Sequence, residues 1–454
     1  MKSLRLGAGM AFWGDSIRAA VDLVEHGDID YLCCDHLAEL TMSILSKQMA
    51  RDPARGYTAD VLPLMRQVLP TCQRKGIKIV TNAGGANPRG CAQAVAGVCR
   101  ELGLTDVKIA VVTGDNIRDR IDDLMTRGID FTNLDTGEEL ATVRDKLTHA
   151  CVYTGADGIV AALDQGADIV ICGRVTDVAL YIGPMRAEFG WASDDWHHLG
   201  IAAGIAHAAE CGGQATGGLY SARWEKVAGM EELGYPILEV AEDGTAFITK
   251  TATSGGEVTV GTVSEQMVYE IHNPGNYLTA DVTGDFTEIR LEEAGPDRIR
   301  ISGLTGRAAP RTLKVNMGYQ AGFIGEVQFT YTWPDAYKKS QRGLEFLRER
   351  LRRADFKCEA ERVEYLGQNS MWGDLAGVAD SEDVLEVVVR YATRCATAEE
   401  ARTVFTESVP LYNNGPAGVA GIGTRPPLKE LYAIWPALVP REMIEQQVEM
   451  VVSG

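Results

Sequence analysis

The sequence predicts an α/β fold: an N-terminal parallel sheet with flanking helices, followed by a β-rich segment and a smaller α+β C-terminal domain. Three observations predict it. Short apolar runs alternate with helical patterns over roughly the first 210 residues, the grammar of a parallel sheet. From about Leu219 short alternating runs punctuated by Gly, Asp and Pro take over, as antiparallel strands require. From about Phe323 strand and helix patterns mix. The expected divisions are therefore 1–220, an α/β ligand-binding domain; 221–322, a β-rich middle segment packed on it; and 323–454, an α+β domain. A chain of 454 residues is too long for one ordinary core.

Taken in order, residues 4–12 (LRLGAGMAF) read as a strand entering a Gly-rich turn, with Asp15 or Ser16 placed to cap the helix SIRAAVDLVEHG. Residues 30–34 (DYLCC) are the second strand, and Asp35, His36 and Glu39 follow as a long helix begins. Residues 58–75 form a further helix stopped at Gly76. Residues 77–81 are the third strand, running into NAGGANP, and a helix starts near Arg89. Residues 107–112 are the fourth strand, ending in TGDN before the helix IRDRIDDLMTRG. A helix at 157–166 precedes the fifth strand at 168–172. Right-handed crossovers then put all these strand ends on one edge.

In the middle segment PILEV, TAFITKT, GGEVTVGTV, TEIRL, RIRISGL and RTLKVNMGYQ read as strands. In the last, FIGEVQFTYTW, VEYLGQ and VLEVVVRYAT read as strands, and KSQRGLEFLRERLRRA and AEEARTVFTE as helices.

Composition narrows the partners. With 63 acidic and 44 basic residues the net charge is −19, which repels phosphate backbones and anionic bilayers. An anionic small ligand remains compatible, because a local Arg or a helix N-terminus can override the global sign. No stretch approaches the ~20 apolar residues needed to cross a bilayer. The N-terminal residues read as a strand rather than a signal peptide. Ten cysteines are too dilute for a disulfide framework, and Cys33, Cys34 and Cys172 sit inside apolar runs. The expectation is a cytoplasmic, reduced protein that is a homo-oligomer, with a small partner subunit as a further candidate. No CxxC and no Cys/His zinc spacing occurs.

Ligands in open α/β sheets bind outside the carboxyl ends of strands, so the residues there carry the functional reading. In GADIVICGRVTD, Arg174 stands just past a strand and suits a carboxylate or phosphate through paired hydrogen bonds. Asp177 would orient it or act as a base; an internal Arg–Asp pair closing the loop is the alternative. Asp35 and Glu39, four apart at the expected helix start, would share a face. Two close carboxylates push their pKa values apart and divide acid and base work, or hold a divalent cation such as Mg²⁺ or Mn²⁺. The competing reading is a helix cap with a dipole-satisfying Glu.

Asn82, Gly84, Gly85 and Asn87 form a loop whose amides would open toward an anion or simply make a structural turn. In ECGGQATGG, residues 210–218, the glycines let backbone approach a ligand beside Gln214. Cys211 would be a nucleophile only if a neighbour lowered its pKa, and Glu210 works the other way. GAG at 7–9 lacks the third glycine of a dinucleotide fingerprint, and there is no Walker A motif. His197, His198 and His207 are too isolated to suggest a metal.

Several ordered blocks then carry a resemblance: GAGMAFWGDSI at 7–17, DYLCCDHLAELTM at 30–42, TNAGGANP at 81–88, GADIVICGRVTD at 166–177 and HAAECGGQATGG at 207–218. Together with GGEVTVGTVSEQMVYEI and TLKVNMGYQAGFIGE, they resemble the acyclic terpene utilisation (AtuA) family over about residues 4–330. The resemblance implies a cytoplasmic catabolic context in which pathway acids are handled as CoA thioesters. It also implies an aromatic residue at position 36, where this chain has His36.

The functional expectation is acid/base chemistry next to the carbonyl of an acyl-CoA or polycarboxylic acid, as in a hydratase, lyase or isomerase. Asp35, Glu39, Asp177 and Glu210 are the candidate catalytic carboxylates; Arg174, Asn82, Gly84, Gly85, Asn87 and Gln214 are the candidate substrate-binding residues. Loops after the first, second, third and fifth strands should converge on the site. The alternative is a non-catalytic subunit that binds an acyl ligand or scaffolds a pathway enzyme, with its carboxylates salt-bridged, buried and without an open cleft.

Overall fold

A computed structural model describes residues 2–376, 384–423 and 426–453. Its first six strands are β1 (Ser3–Met10), β2 (Tyr31–Cys34), β3 (Lys78–Thr81), β4 (Lys108–Thr113), β5 (Leu147–Val152) and β6 (Ile169–Cys172). The next are β7 (Ile237–Ala241), β8 (Ala246–Thr249), β9 (Tyr277–Leu278), β10 (Thr283–Asp285), β11 (Arg290–Glu293), β12 (Arg298–Ser302) and β13 (Thr305–Arg307). The remainder are β14 (Thr312–Thr332), β15 (Ala360–Tyr365), β16 (Glu386–Cys395), β17 (Val419–Ala420), β18 (Lys429–Pro440) and β19 (Gln447–Val452).

β1, β2, β3, β6 and β4 lie side by side in that order and run parallel. Their apolar continuity follows from burial on both faces. In β2, Leu32 and Cys34 enter one apolar layer while Tyr31 and Cys33 enter the other. Antiparallel strands extend both edges. β7, β8, β12 and β11 continue outward from β1, and β19 closes against β4.

Helices α1 (Ile17–His26), α2 (Thr41–Arg51), α3 (Val61–Lys75), α4 (Pro88–Glu101), α5 (Ile121–Thr126), α6 (Asp157–Asp164), α7 (Ala179–Phe189) and α8 (Trp196–Glu210) connect these strands. α1, α3 and α4 pack on one face, and α6, α7 and α8 on the other. α8 is Ala-rich and buried almost all round, so small side chains rather than an amphipathic stripe set its packing. After β3 the chain passes to α4; after the neighbouring β6 it passes to α7 on the opposite face. That divergence is the topological switch point of the sheet.

The division of the chain differs from the expected one. One compact unit comprises Met1–Gly318 with Ile434–Gly454, and the other Tyr319–Ala433. Position 220 separates nothing, because β7, β8, β11 and β12 are strands of the same sheet as β1 rather than a segment packed on it. The C-terminal residues return to the first unit because β19 pairs with β4 along its length. The second unit by itself is a sheet in the order β15-β16-β14-β17. It carries α10 (Ala336–Arg353) and α11 (Ala398–Ser408), once α9 (Val260–Val268) of the first unit is counted.

Two local expectations change. GGEVTVGTV does not make a strand: its last residues begin α9. Thr259 caps that helix by accepting from Thr262 N at 3.1 Å, and Thr262 Oγ1 accepts from Thr259 N at 3.0 Å. This reciprocal cap overrides the β-branched composition. The two expected strands around 311–333 are one continuous strand, β14, of 21 residues.

Candidate active site

The helix expected at Asp35 begins later, at Thr41, and residues 35–40 are a loop. The cause is the Asp35 side chain. Its Oδ1 accepts from Leu37 N at 2.9 Å and from Asn82 Nδ2 at 2.6 Å, while Asn82 Oδ1 receives His36 N at 2.7 Å. An aspartate captured by its own downstream amide holds a turn instead of a helix. Asp35 and Glu39 therefore share no helical face: Asp35 is buried and Glu39 is half-exposed. His36 turns away into the interior, its Nδ1 3.3 Å from Asp60 Oδ1.

A cleft of about 1050 Å³ opens beside this loop. Asp35, Glu39, Arg174, Asp177, Glu210 and Gln214 all border it, brought together from the ends of β2 and β6 and of α8. The loop after β1 contributes Phe12, and β14 contributes Lys314. The loop after β3 does not reach it. Asn82 stands behind Asp35 as its hydrogen-bond partner, and Gly84, Gly85 and Asn87 lie elsewhere.

Those three are occupied by packing. Asn87 caps α4 by accepting from Gly90 N at 3.0 Å and ties down the carbonyls of Pro53 and Arg55 at 3.1 and 2.8 Å. Gly85 N donates to Asn82 O at 3.1 Å, and the amides of Ala86 and Asn87 donate to Gly56 O at 2.9 and 3.1 Å. A Cβ on Gly84 would meet Cys172 O at 2.5 Å, so this loop is pressed directly onto the end of β6. Gly85 and Asn87 border a second cleft of about 780 Å³.

Arg174 is fully buried, and each of its three guanidinium nitrogens donates within the protein. Nε donates to Val175 O at 2.8 Å, Nη1 to Leu37 O at 2.6 Å, and Nη2 to Asp177. Its guanidinium also lies 4.5 Å from the centroid of the Tyr153 ring. The backbone N of Arg174 donates to Asp115 Oδ2 at 2.8 Å. Arg174 thus braces the Asp35 loop through the Leu37 carbonyl, and the internal Arg–Asp pair is the arrangement present. Asp177 itself is 42% exposed toward solvent.

The carboxyls differ in character. Burial, then the charge of Asp177, pushes Asp35 well above the usual carboxylate range. Burial also raises Glu210, with Asp177 adding to it, while hydrogen bonding to His207 works the other way. Glu210 Oε1 lies 2.7 Å from His207 Nδ1, and its Oε2 is buried without a protein partner. Burial works to raise Glu39 too, but its own backbone amide and Lys314, 3.6 Å away, hold it below its ordinary value. Cys211 is pushed up to about 12 by burial and by Glu210, which removes the thiolate a nucleophile needs. Among the described residues, no group of three or more His, Cys, Asp and Glu side chains is placed to hold a metal ion.

Apolar side chains complete the wall: Phe12, Leu219, Met230 and Tyr269 are exposed and border the cleft. Local sequence reading missed this wall and Lys314, which arrive from distant segments. His207 was within reach, since its i, i+3 spacing to Glu210 puts both on one face of α8.

The fold and site define an α/β protein with an acid-lined cleft at the carboxyl ends of its parallel strands. The model of the acyclic terpene utilisation family protein AtuA matches residues 4–450, and the chain belongs to that family. No curated protein and no solved structure matches it. No helix among the described residues is long and apolar enough to cross a membrane.

Proposed function

We propose that this member of the acyclic terpene utilisation family is a catabolic enzyme that moves a proton next to the carbonyl of an acyl substrate, as a hydratase, lyase or isomerase does. The observation that carries this reading is that Asp35 and Glu210 border one open cleft, each buried and each raised by that burial. A carboxyl kept protonated donates a hydrogen bond or a proton to a carbonyl oxygen. A carboxylate whose affinity for protons is raised by burial is a stronger base for the adjacent carbon.

In this reading Asp35 is the acid and Glu210 the base, with Oε2 facing the substrate and Oε1 held by His207. The charge of Asp177 raises both carboxyls, Arg174 and Asn82 fix the Asp35 loop, and Gln214 borders the cleft. Glu39 and Lys314 form a paired wall. The apolar surface of Phe12, Leu219 and Met230 suits the branched chain of a pathway acid, carried as its CoA thioester. A scaffolding subunit has no need of an open cleft of about 1050 Å³ lined by unpaired carboxyl oxygen.

The test is solvent deuterium incorporation, followed by NMR, into the N-acetylcysteamine thioester of a short branched enoic acid. Wild-type protein is expected to catalyse exchange next to the carbonyl, and Asp35→Asn and Glu210→Gln to lose on the order of 10²–10⁴-fold of the rate. Equal exchange by wild type and both variants, with unchanged melting temperatures, overturns the assignment.

A further inference from the structure

The charges around the cleft select among substrates. Asp35 and Glu210 line it as buried groups, Asp177 as a half-exposed one, and Glu231, Glu232 and Glu270 are exposed on its border. Three permanent cations also border it: the two in the cleft face acidic partners, and the third, Arg18, is exposed at the rim. Arg174 donates to Val175 O, Leu37 O and Asp177; Lys314 Nζ lies 3.6 Å from Glu39; Arg18 lies 3.8 Å from Glu232. The protein as a whole carries −19, so the far field has the same sign as the near one. Glu210 Oε2, buried and without a protein partner, points to a polar group of the ligand as its missing counterpart.

We propose that the cleft admits an uncharged carbonyl compound on an apolar chain, and rejects a substrate that brings a free carboxylate into it. This rests on the acid/base reading above and narrows it: thioesters, esters and ketones fit, and polycarboxylic acids do not. A carboxylate entering would face Asp177, Glu231, Glu232 and Glu270, with each cation inside the cleft already placed against an acidic partner. Burying a charge without a partner is among the costliest steps available to a complex. A CoA thioester remains admissible because its phosphates are remote from the carbonyl and need not enter.

The test uses three N-acetylcysteamine thioesters of one short branched chain, ending in a methyl group, a carboxamide or a carboxylate. Binding to the full chain is measured by calorimetry at low salt. The first two are expected to bind within a few-fold of each other, and the third at least about tenfold more weakly, about 1.4 kcal/mol. The double substitution Glu231→Gln, Glu232→Gln, remote from the proton-transfer residues, should narrow that gap. Equal or tighter binding of the carboxylate-bearing thioester overturns the proposal, and if that compound also exchanges its proton the acid/base reading survives. Tighter binding of the neutral thioesters than of the carboxylate, without exchange, overturns the acid/base reading and supports the charge rule. Failure of all three to bind overturns both.

Discussion

Glu210 and His207 meet across one turn of α8, Oε1 to Nδ1 at 2.7 Å, and this contact opposes the burial that raises the Glu210 carboxyl. Removing the imidazole therefore raises Glu210 further. For His207→Gln, the acid limb of the exchange rate against pH should move to higher pH, because the base must lose its proton before it acts. A purely structural role for His207 would lower the rate at every pH and leave the limb in place.

Asp115 gives a stability prediction with a defined sign. Burial pushes it up to about 6 despite the amide of Arg174 that it accepts. A carboxyl raised in the folded state favours folding while protonated, and that contribution is lost as pH rises from the unfolded value near 4 through about 6. Asp115→Asn keeps an acceptor for Arg174 N and never ionises. Relative to wild type, its unfolding free energy should gain up to about 3 kcal/mol between pH 4 and pH 7, at 1.36 kcal/mol per pKa unit. Denaturant titrations at the two pH values measure it; a constant difference would contradict the assigned burial.

Cys211→Ser should retain proton exchange. The thiol sits beside Glu210 and is pushed up to about 12, so it is protonated wherever the enzyme works. Loss of exchange with unchanged substrate binding would reinstate the thiol as a participant.

Gly84→Ala should destabilise the protein by about 1–3 kcal/mol, since the added methyl has to push against backbone rather than a side chain that can turn. The obstacle is Cys172 O at 2.5 Å, with Pro88 Cα at 2.8 Å. Thermal unfolding reads the cost. Substrate affinity should stay within a few-fold, because the loop borders no part of the Asp35 cleft; a large affinity loss without destabilisation would return this loop to the binding site.

The parallel sheet was legible because each of its strands is a short apolar run followed by a polar break, and nothing nonlocal is needed to see that. The Asp35 loop was not legible in the same way. The residue that captures the Asp35 carboxylate, Asn82, stands 47 positions away, and without it the local pattern reads as a helix start. The Thr259 cap shows a nearer failure: a reciprocal pair three residues apart outweighed a run of β-branched residues. β19 joins the sheet from the far end of the chain, and Lys314 reaches the cleft from β14. Neither placement has a signal in its own neighbourhood.

The most direct test of the account is infrared difference spectroscopy of the carboxyl C=O band as a function of pH. The account predicts a protonated-carboxyl signal that persists above the ordinary carboxylate range, is partly lost in Asp35→Asn and further reduced when Glu210→Gln is added, and shifts when the neutral thioester binds. A band that disappears with the ordinary carboxyls, or one untouched by either substitution, would contradict the central claim that these two residues hold the working proton.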